Sequence, residues 1–158
     1  MARLLLVDDE EGARRALAAF LRLSGHQVAE AGGVREGLEK AAETLPHALV
    51  CDFRMEDGTG LDLARRLRAQ DPGLKVVLLT GFADREVEEG TGGAVDLVME
   101  KPARPRRVRA ALEELLARKP GDPILQAEAG TREVSPGRIS PGARARREER
   151  RLLWGEEE

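Results

Sequence analysis

Five polar residues stand at the ends of short apolar runs. Asp8 and Asp9 follow Leu4-Leu5-Leu6-Val7, Asp52 follows Ala48-Leu49-Val50-Cys51, Thr80 follows Val76-Val77-Leu78-Leu79, and Lys101 comes just after Val95 to Met99. Taken as one site, their chemistry is restricted. Three carboxylates held together repel one another unless something neutralises them. A hard divalent cation does this, and Mg²⁺ in particular takes one or two carboxylates together with water and phosphate oxygens. A lysine adds a mobile point charge suited to a phosphoryl oxygen, and a threonine hydroxyl can donate to the same group. An aspartate carboxylate can itself accept a phosphoryl group, forming an acyl phosphate. The work left for the protein is positioning and charge compensation for an in-line transfer.

The elements needed to position these residues are legible in the apolar pattern. Ala13, Ala16, Leu17, Phe20 and Leu21 fall at the spacing of one helix face. Residues 27–31 predict a weaker second strand. A helix follows with Val34, Leu38, Ala41, Ala42 and Leu45 inward. The run 61–69 predicts a third helix facing inward through Leu63 and Leu67, and residues 84–89 at most a short acidic helix. Residues 106–117 predict a closing helix that buries Val108, Ala111, Leu112 and Leu115. Five strands alternating with helices imply a parallel sheet covered on both faces, because parallel strands need crossover connections. Ligands of such sheets bind beyond the carboxyl ends of the strands, which is where the five polar residues lie.

The motifs Leu4-Leu5-Leu6-Val7-Asp8-Asp9-Glu10, Asp52-Phe53-Arg54-Met55 with Gly60 eight positions after Asp52, Leu78-Leu79-Thr80-Gly81 and Glu100-Lys101-Pro102 resemble those of response-regulator receiver domains of two-component signalling. The resemblance covers roughly residues 1–118. It implies a flavodoxin-like, doubly wound α/β fold with five parallel strands in the order 2-1-3-4-5 and helices on both faces, followed by a C-terminal extension over 119–158. It also implies a role for each matching position. Asp52 would be the phosphoacceptor, Asp9 a direct Mg²⁺ ligand and Asp8 a second ligand acting through water. Asp52 and the backbone carbonyl of Arg54 would complete the metal set. Lys101 would contact the phosphoryl group, Thr80 would move to it after transfer, and the Lys101–Pro102 bond would be cis. The implied donor is a sensor histidine kinase or phosphotransfer protein, and the implied output is a phosphorylation-dependent surface read by a protein target, with a phosphorylation-dependent dimer as one form of it.

The sequence also departs from the family pattern. Glu56 stands where proline is common, which predicts a looser loop. Val98 stands three residues before Lys101, where an aromatic ring often follows the threonine. Gly90-Thr91-Gly92-Gly93 falls where the fourth helix would continue, and each internal glycine costs a helix about 1 kcal/mol relative to alanine.

Taken singly, these residues have plainer readings. Asp8 and Asp9 could cap the first helix, Lys101 could be a solvated lysine and Thr80 a turn residue; their common register argues for the site. Cys51 reads as a core hydrophobe. His26 and His47 each precede a strand without metal-ligand spacing and read as surface residues.

Composition limits what else the chain can be. Hydrophobic residues at 41% are enough for one core, and aromatics at 3% make that core aliphatic. A net charge of −3 and a pI near 5.6 argue against wholesale binding to nucleic acid or an anionic membrane. No run approaches the ~18 apolar residues of a membrane helix, and nothing at the start has the pattern of a signal peptide. One cysteine excludes an internal disulfide and fits a reducing, cytoplasmic setting. The absence of Asn and the preference for Arg over Lys fit heat adaptation and a GC-rich genome equally.

Beyond Lys119, Pro and Gly recur with little periodicity, and the Arg/Glu-rich run 144–151 leads into Leu152-Leu153-Trp154. This predicts a loose connector ending in a short charged helix. The arginines there leave open a DNA-associated regulator. Asp52 with Asp57-Gly58-Thr59 faintly resembles aspartyl-nucleophile phosphatases, but Arg54 occupies the place of their second aspartate.

Overall fold

The computed structural model describes residues 1–81, 93–118 and the backbone of 131–133. Five parallel strands form the centre: β1 (Arg3–Val7), β2 (Gln27–Ala31), β3 (Ala48–Asp52), β6 (Lys75–Thr80) and β7 (Leu97–Glu100). Their spatial order is β2-β1-β3-β6-β7, the doubly wound order implied by the resemblance. β4 (Arg54–Met55) and β5 (Gly58–Thr59) form a separate small antiparallel hairpin. The sheet also gains an element the sequence did not predict. A three-residue strand, β8 (Thr131–Glu133), pairs antiparallel with β7 and adds a sixth strand at that edge.

β1, β3, β6 and β7 are largely apolar because both of their faces are covered, whereas β2, at the sheet edge, buries only Ala31. Side chains alternate between the two faces. Leu5, Val7, Leu49, Cys51, Val76 and Leu78 face one layer, and Leu4, Leu6, Val50, Val77, Leu79 and Met99 face the other. The helices divide in the same way. α2 (Val34–Thr44) and α3 (Gly60–Gln70) pack on the first face, whereas α1 (Glu11–Leu23) and α4 (Pro105–Ala117) pack on the second.

The inner faces of α3 and α4 lie where the periodicity placed them, with Leu63, Leu67, Val108, Leu112 and Leu115 buried. Two other faces differ. In α1 the buried residues are Leu17, Ala18 and Leu21, while Ala13 and Ala16 are exposed. Alanine is too small to fix a helix face by its own burial, so the large side chains set the rotation. In α2, Gly37 is buried instead of Ala42, and Leu45 is 68% exposed. Leu45 is the C-cap in a left-handed conformation, φ 47, so it ends the helix and turns out of its inner stripe. At Gly37 an added Cβ would lie 3.0 Å from Leu63 Cδ2 and 3.3 Å from Val7 Cγ2. The absent side chain lets α2 sit close to both β1 and α3.

His26 is less peripheral than the sequence predicted, whereas His47 is exposed as expected. His26 is largely buried at 9% side-chain exposure, and its Nδ1 accepts the Ala2 amide at 3.2 Å. His47 Nδ1 accepts the neighbouring Arg3 amide at 3.0 Å. The two rings therefore satisfy donors at the start of β1. Among the described residues no helix is long and apolar enough to cross a membrane. The acidic segment 84–89, Gly90 to Gly92 and the run 144–154 lie outside the described residues.

Candidate functional site at the carboxyl edge of the sheet

Each of the five residues is delivered by a strand end. Asp8 and Asp9 come directly after β1, Asp52 and Thr80 close β3 and β6, and Lys101 comes directly after β7. Parallel register brings these ends level, with Val7 beside Cys51, Asp52 beside Leu79, and Thr80 beside Glu100. The carboxylates of Asp8, Asp9 and Asp52 then converge, each offering an oxygen within 4.8 Å of the others.

Asp8 does not cap α1. The N-cap position is Glu10, which has no side-chain cap bond. Asp8 Oδ1 instead accepts the Glu10 amide at 2.9 Å, leaving Oδ2 turned to the site, where Lys101 Nζ lies 3.4 Å away. Asp8 is buried, Asp52 partly buried and Asp9 exposed, so the site opens to solvent on the Asp9 side. Lys101 Nζ donates to Asp52 Oδ2 at 3.0 Å. The Lys101 backbone is anchored as well, since its amide donates to the Thr80 carbonyl at 2.7 Å. The Lys101–Pro102 peptide is cis. Thr80 is buried at the end of β6, two strands from Asp8.

The electrostatics follow from this crowding. Burial raises the Asp52 pKa above the ordinary carboxylate value. Lys101 opposes that rise, while Asp8 and Asp9 add to it. Burial alone would lower Lys101, but its contacts with Asp52 and Asp8 outweigh burial, and its net shift is upward. The Lys101 ammonium thus meets two of the three clustered carboxylates, Asp8 and Asp52. Such a set of hard oxygen donors with a surplus of negative charge fits a divalent cation of the Mg²⁺ kind.

The loop after Asp52 is tied down, although Glu56 replaces the common proline. Arg54 pairs with Thr59 and Met55 with Gly58, and Met55 is buried. Thr59 caps α3 by accepting the Asp62 amide at 3.1 Å. Gly60 is required by contact: an added Cβ would sit 2.1 Å from the Asp52 carbonyl oxygen. Cys51, on the strand beside Asp52, is fully buried, and its Sγ lies 3.5 Å from the Gly60 carbonyl. Burial, reinforced by the Asp52 charge, pushes its thiol far above the usual range, so it acts as a core residue.

Sequence reasoning missed Asp57. Its Oδ1 accepts the Val34 amide at 2.8 Å and its Oδ2 the Arg35 amide at 3.0 Å, which caps α2 from the loop after Asp52. The only sequence signal was negative: Gly33 precedes α2 and brings no capping side chain.

The fold and the acidic cluster at its carboxyl edge define a doubly wound α/β protein of the flavodoxin-like kind. The response regulator receiver domain family matches residues 4–113, and the chain belongs to that family. It is 40% identical over 111 residues to the photosynthetic apparatus regulatory protein RegA of Rhodovulum sulfidophilum, covering 69% of this chain and 60% of RegA. It is 36% identical over 145 residues to the virulence transcriptional regulatory protein PhoP of Salmonella typhimurium, covering 85% of this chain and 64% of PhoP. The chain therefore spans about three fifths of the length of these relatives. Among solved structures, a CheY-like receiver domain protein from Methanospirillum hungatei superposes with a TM-score of 0.70 at 26% identity, covering 73% of this chain and 94% of that one. A receiver domain protein from Clostridium thermocellum shares the fold with a TM-score of 0.69 at 23% identity, covering 73% and 94% respectively.

Proposed function

We propose that residues 1–118 form a receiver domain that accepts a phosphoryl group on Asp52 and presents a changed surface to a partner. The observation that carries this reading is the contact of Lys101 Nζ with Asp52 Oδ2 at 3.0 Å, beside the Asp8 and Asp9 carboxylates. Asp52 is partly buried, with 13% of its side chain exposed, and lies next to the exposed Asp9, which leaves an approach for a donor. Asp8, Asp9, Asp52 and the Arg54 carbonyl would hold Mg²⁺, which supplies charge neutralisation for the incoming phosphoryl oxygens. Lys101 holds a second positive charge against the same oxygens. Thr80, at the neighbouring strand end, has a hydroxyl that can donate to the phosphoryl group once it is in place. The chain is then a signalling domain whose own chemistry is limited to taking a phosphoryl group from a donor and losing it to water.

A sensor histidine kinase or phosphotransfer protein is the donor that fits an aspartyl acceptor, and its setting is cytoplasmic. The target is a protein that reads the altered surface. A second reading, a role in transcription through DNA association of the Arg-rich tail, is favoured by the names of the relatives. Affinity for duplex DNA that falls steeply with salt and is lost on removing residues 119–158 would support that reading.

The test of the main proposal is intact-mass analysis after incubation with Mg²⁺ and acetyl phosphate. The protein should gain one base-labile phosphoryl group. Asp52→Asn should gain none, and Asp9→Ala should gain it far more slowly. Equal incorporation in Asp52→Asn would overturn the assignment.

A further inference from the structure

We propose that Asp57 is a positioning residue that clamps the loop following Asp52 onto the N-terminus of α2. The proposal rests on the reading of Asp52 as the acceptor and extends it to the segment that carries the Arg54 carbonyl. The geometry is specific. Both carboxylate oxygens are used, one on the Val34 amide at 2.8 Å and one on the Arg35 amide at 3.0 Å. These are the first two amides of α2, which have no partner within the helix and carry the positive end of its dipole.

Two glycines make the approach possible. A Cβ on Gly33 would lie 2.7 Å from Asp57 Oδ1, so any side chain at the local N-cap would displace the carboxylate. A Cβ on Gly58 would lie 3.1 Å from Val34 Cγ2, and Gly58 has φ +151, which side-chain-bearing residues rarely adopt. Helix α2 thus lacks a cap of its own and has room for one supplied from 23 positions away.

The clamp acts on the site through a short path. Asp57 and Glu56 lie between the two arms of the β4–β5 hairpin, whose pairs are Arg54 with Thr59 and Met55 with Gly58. The hairpin leads directly into Gly60, whose amide donates to the Phe53 carbonyl at 2.8 Å. Fixing Asp57 therefore fixes the arm holding Arg54 two residues from Asp52. The connection also accounts for an ordered loop where Glu56 has replaced a rigid proline.

The test separates loop positioning from simple helix capping. Asp57→Ala removes both. Adding Gly33→Ser in the same protein supplies a local hydroxyl cap to α2 but restores no tie to the loop. Hydrogen exchange of residues 53–60 and of the first turn of α2 would be followed in both variants, with Mg²⁺ affinity measured by calorimetry. The double variant should return α2 exchange and Tm to near wild type. Loop exchange should stay about five- to tenfold faster, the size of effect a lost cap produces, and Mg²⁺ should bind several-fold more weakly. Gly33→Ala alone, which keeps Asp57 but occupies its place, should loosen the loop in the same way. Loop exchange and Mg²⁺ affinity that recover together with α2 in the double variant would reduce Asp57 to a helix cap and overturn the proposal. A wild-type protein that takes no phosphoryl group would count against the acceptor assignment while leaving the exchange result to decide the clamp.

Discussion

Lys101 Nζ donates to Asp52 Oδ2 across 3.0 Å, although the two residues are 49 positions apart in the chain. The same nitrogen lies 3.4 Å from Asp8 Oδ2, 93 positions away. Three strands, β1, β3 and β7, must end level for one ammonium to meet both carboxylates. The parallel register of the sheet provides that alignment and makes the site a property of the whole fold.

Asp52 has a raised pKa, caused first by burial and then, against the lowering effect of Lys101, by the charges of Asp8 and Asp9. A carboxylate raised on folding disfavours its ionised form in the folded state. Its cost to stability is therefore present above the folded pKa and is relieved as pH falls through that value. Asp52→Asn should raise Tm at pH 7 in the presence of a chelator, by at most a few degrees because solvent screens this partly exposed site. The gain should shrink at acid pH and on adding Mg²⁺ to both proteins. A lower Tm for Asp52→Asn in chelator at pH 7 would show that the trio is not under repulsion.

Lys101→Gln should have the opposite effect. Removing the ammonium leaves Asp8 and Asp52 without their shared positive partner, so the metal-free protein should lose stability as well as phosphoryl uptake. Thermal unfolding in chelator reads the first effect separately from the second. No change in Tm would mean that the ion pair contributes nothing to the unloaded fold.

At Gly60 the prediction is steric. An added Cβ 2.1 Å from the Asp52 carbonyl oxygen forces the backbone of β3 or of α3 to shift. Gly60→Ala should cost about 1–3 kcal/mol, the usual range for overpacking, and should slow phosphoryl uptake at Asp52. Denaturant unfolding measures the former, and a wild-type midpoint would contradict the contact.

The Cys51 thiol is buried and shifted upward by burial and by Asp52. Thiol reagents at neutral pH should leave it unmodified in the native protein and label it fully once the chain is unfolded. Rapid labelling of the native form would place the sulfur at the surface.

The chemistry of the site was legible before the fold because its residues sit at strand ends, and buried parallel strands announce themselves as unbroken apolar runs. Large side chains such as Leu17, Leu63 and Leu112 marked their helix faces correctly. Small or terminal ones did not: Ala13 and Ala18 are equally apolar, and only packing decides which of them is buried. Leu45 followed the apolar spacing but ends α2 in a left-handed conformation, a choice that periodicity does not register. Asp57 escaped notice because its partners are backbone amides, which every non-proline residue has. His26 looked peripheral for the same reason, since its partner is the Ala2 amide. Strand β8 left no apolar signal, because Thr131-Arg132-Glu133 pairs through its backbone.

The central claim is that Asp52 accepts the phosphoryl group. Borohydride reduction of the phosphorylated protein, followed by peptide mass spectrometry, tests it most directly, because the reagent converts an acyl phosphate on aspartate into homoserine. Homoserine should be found at position 52 only, should require both Mg²⁺ and the phosphodonor, and should be absent in Asp52→Asn. Homoserine at position 8, 9 or 57, or none in a protein that has gained phosphate, would contradict it.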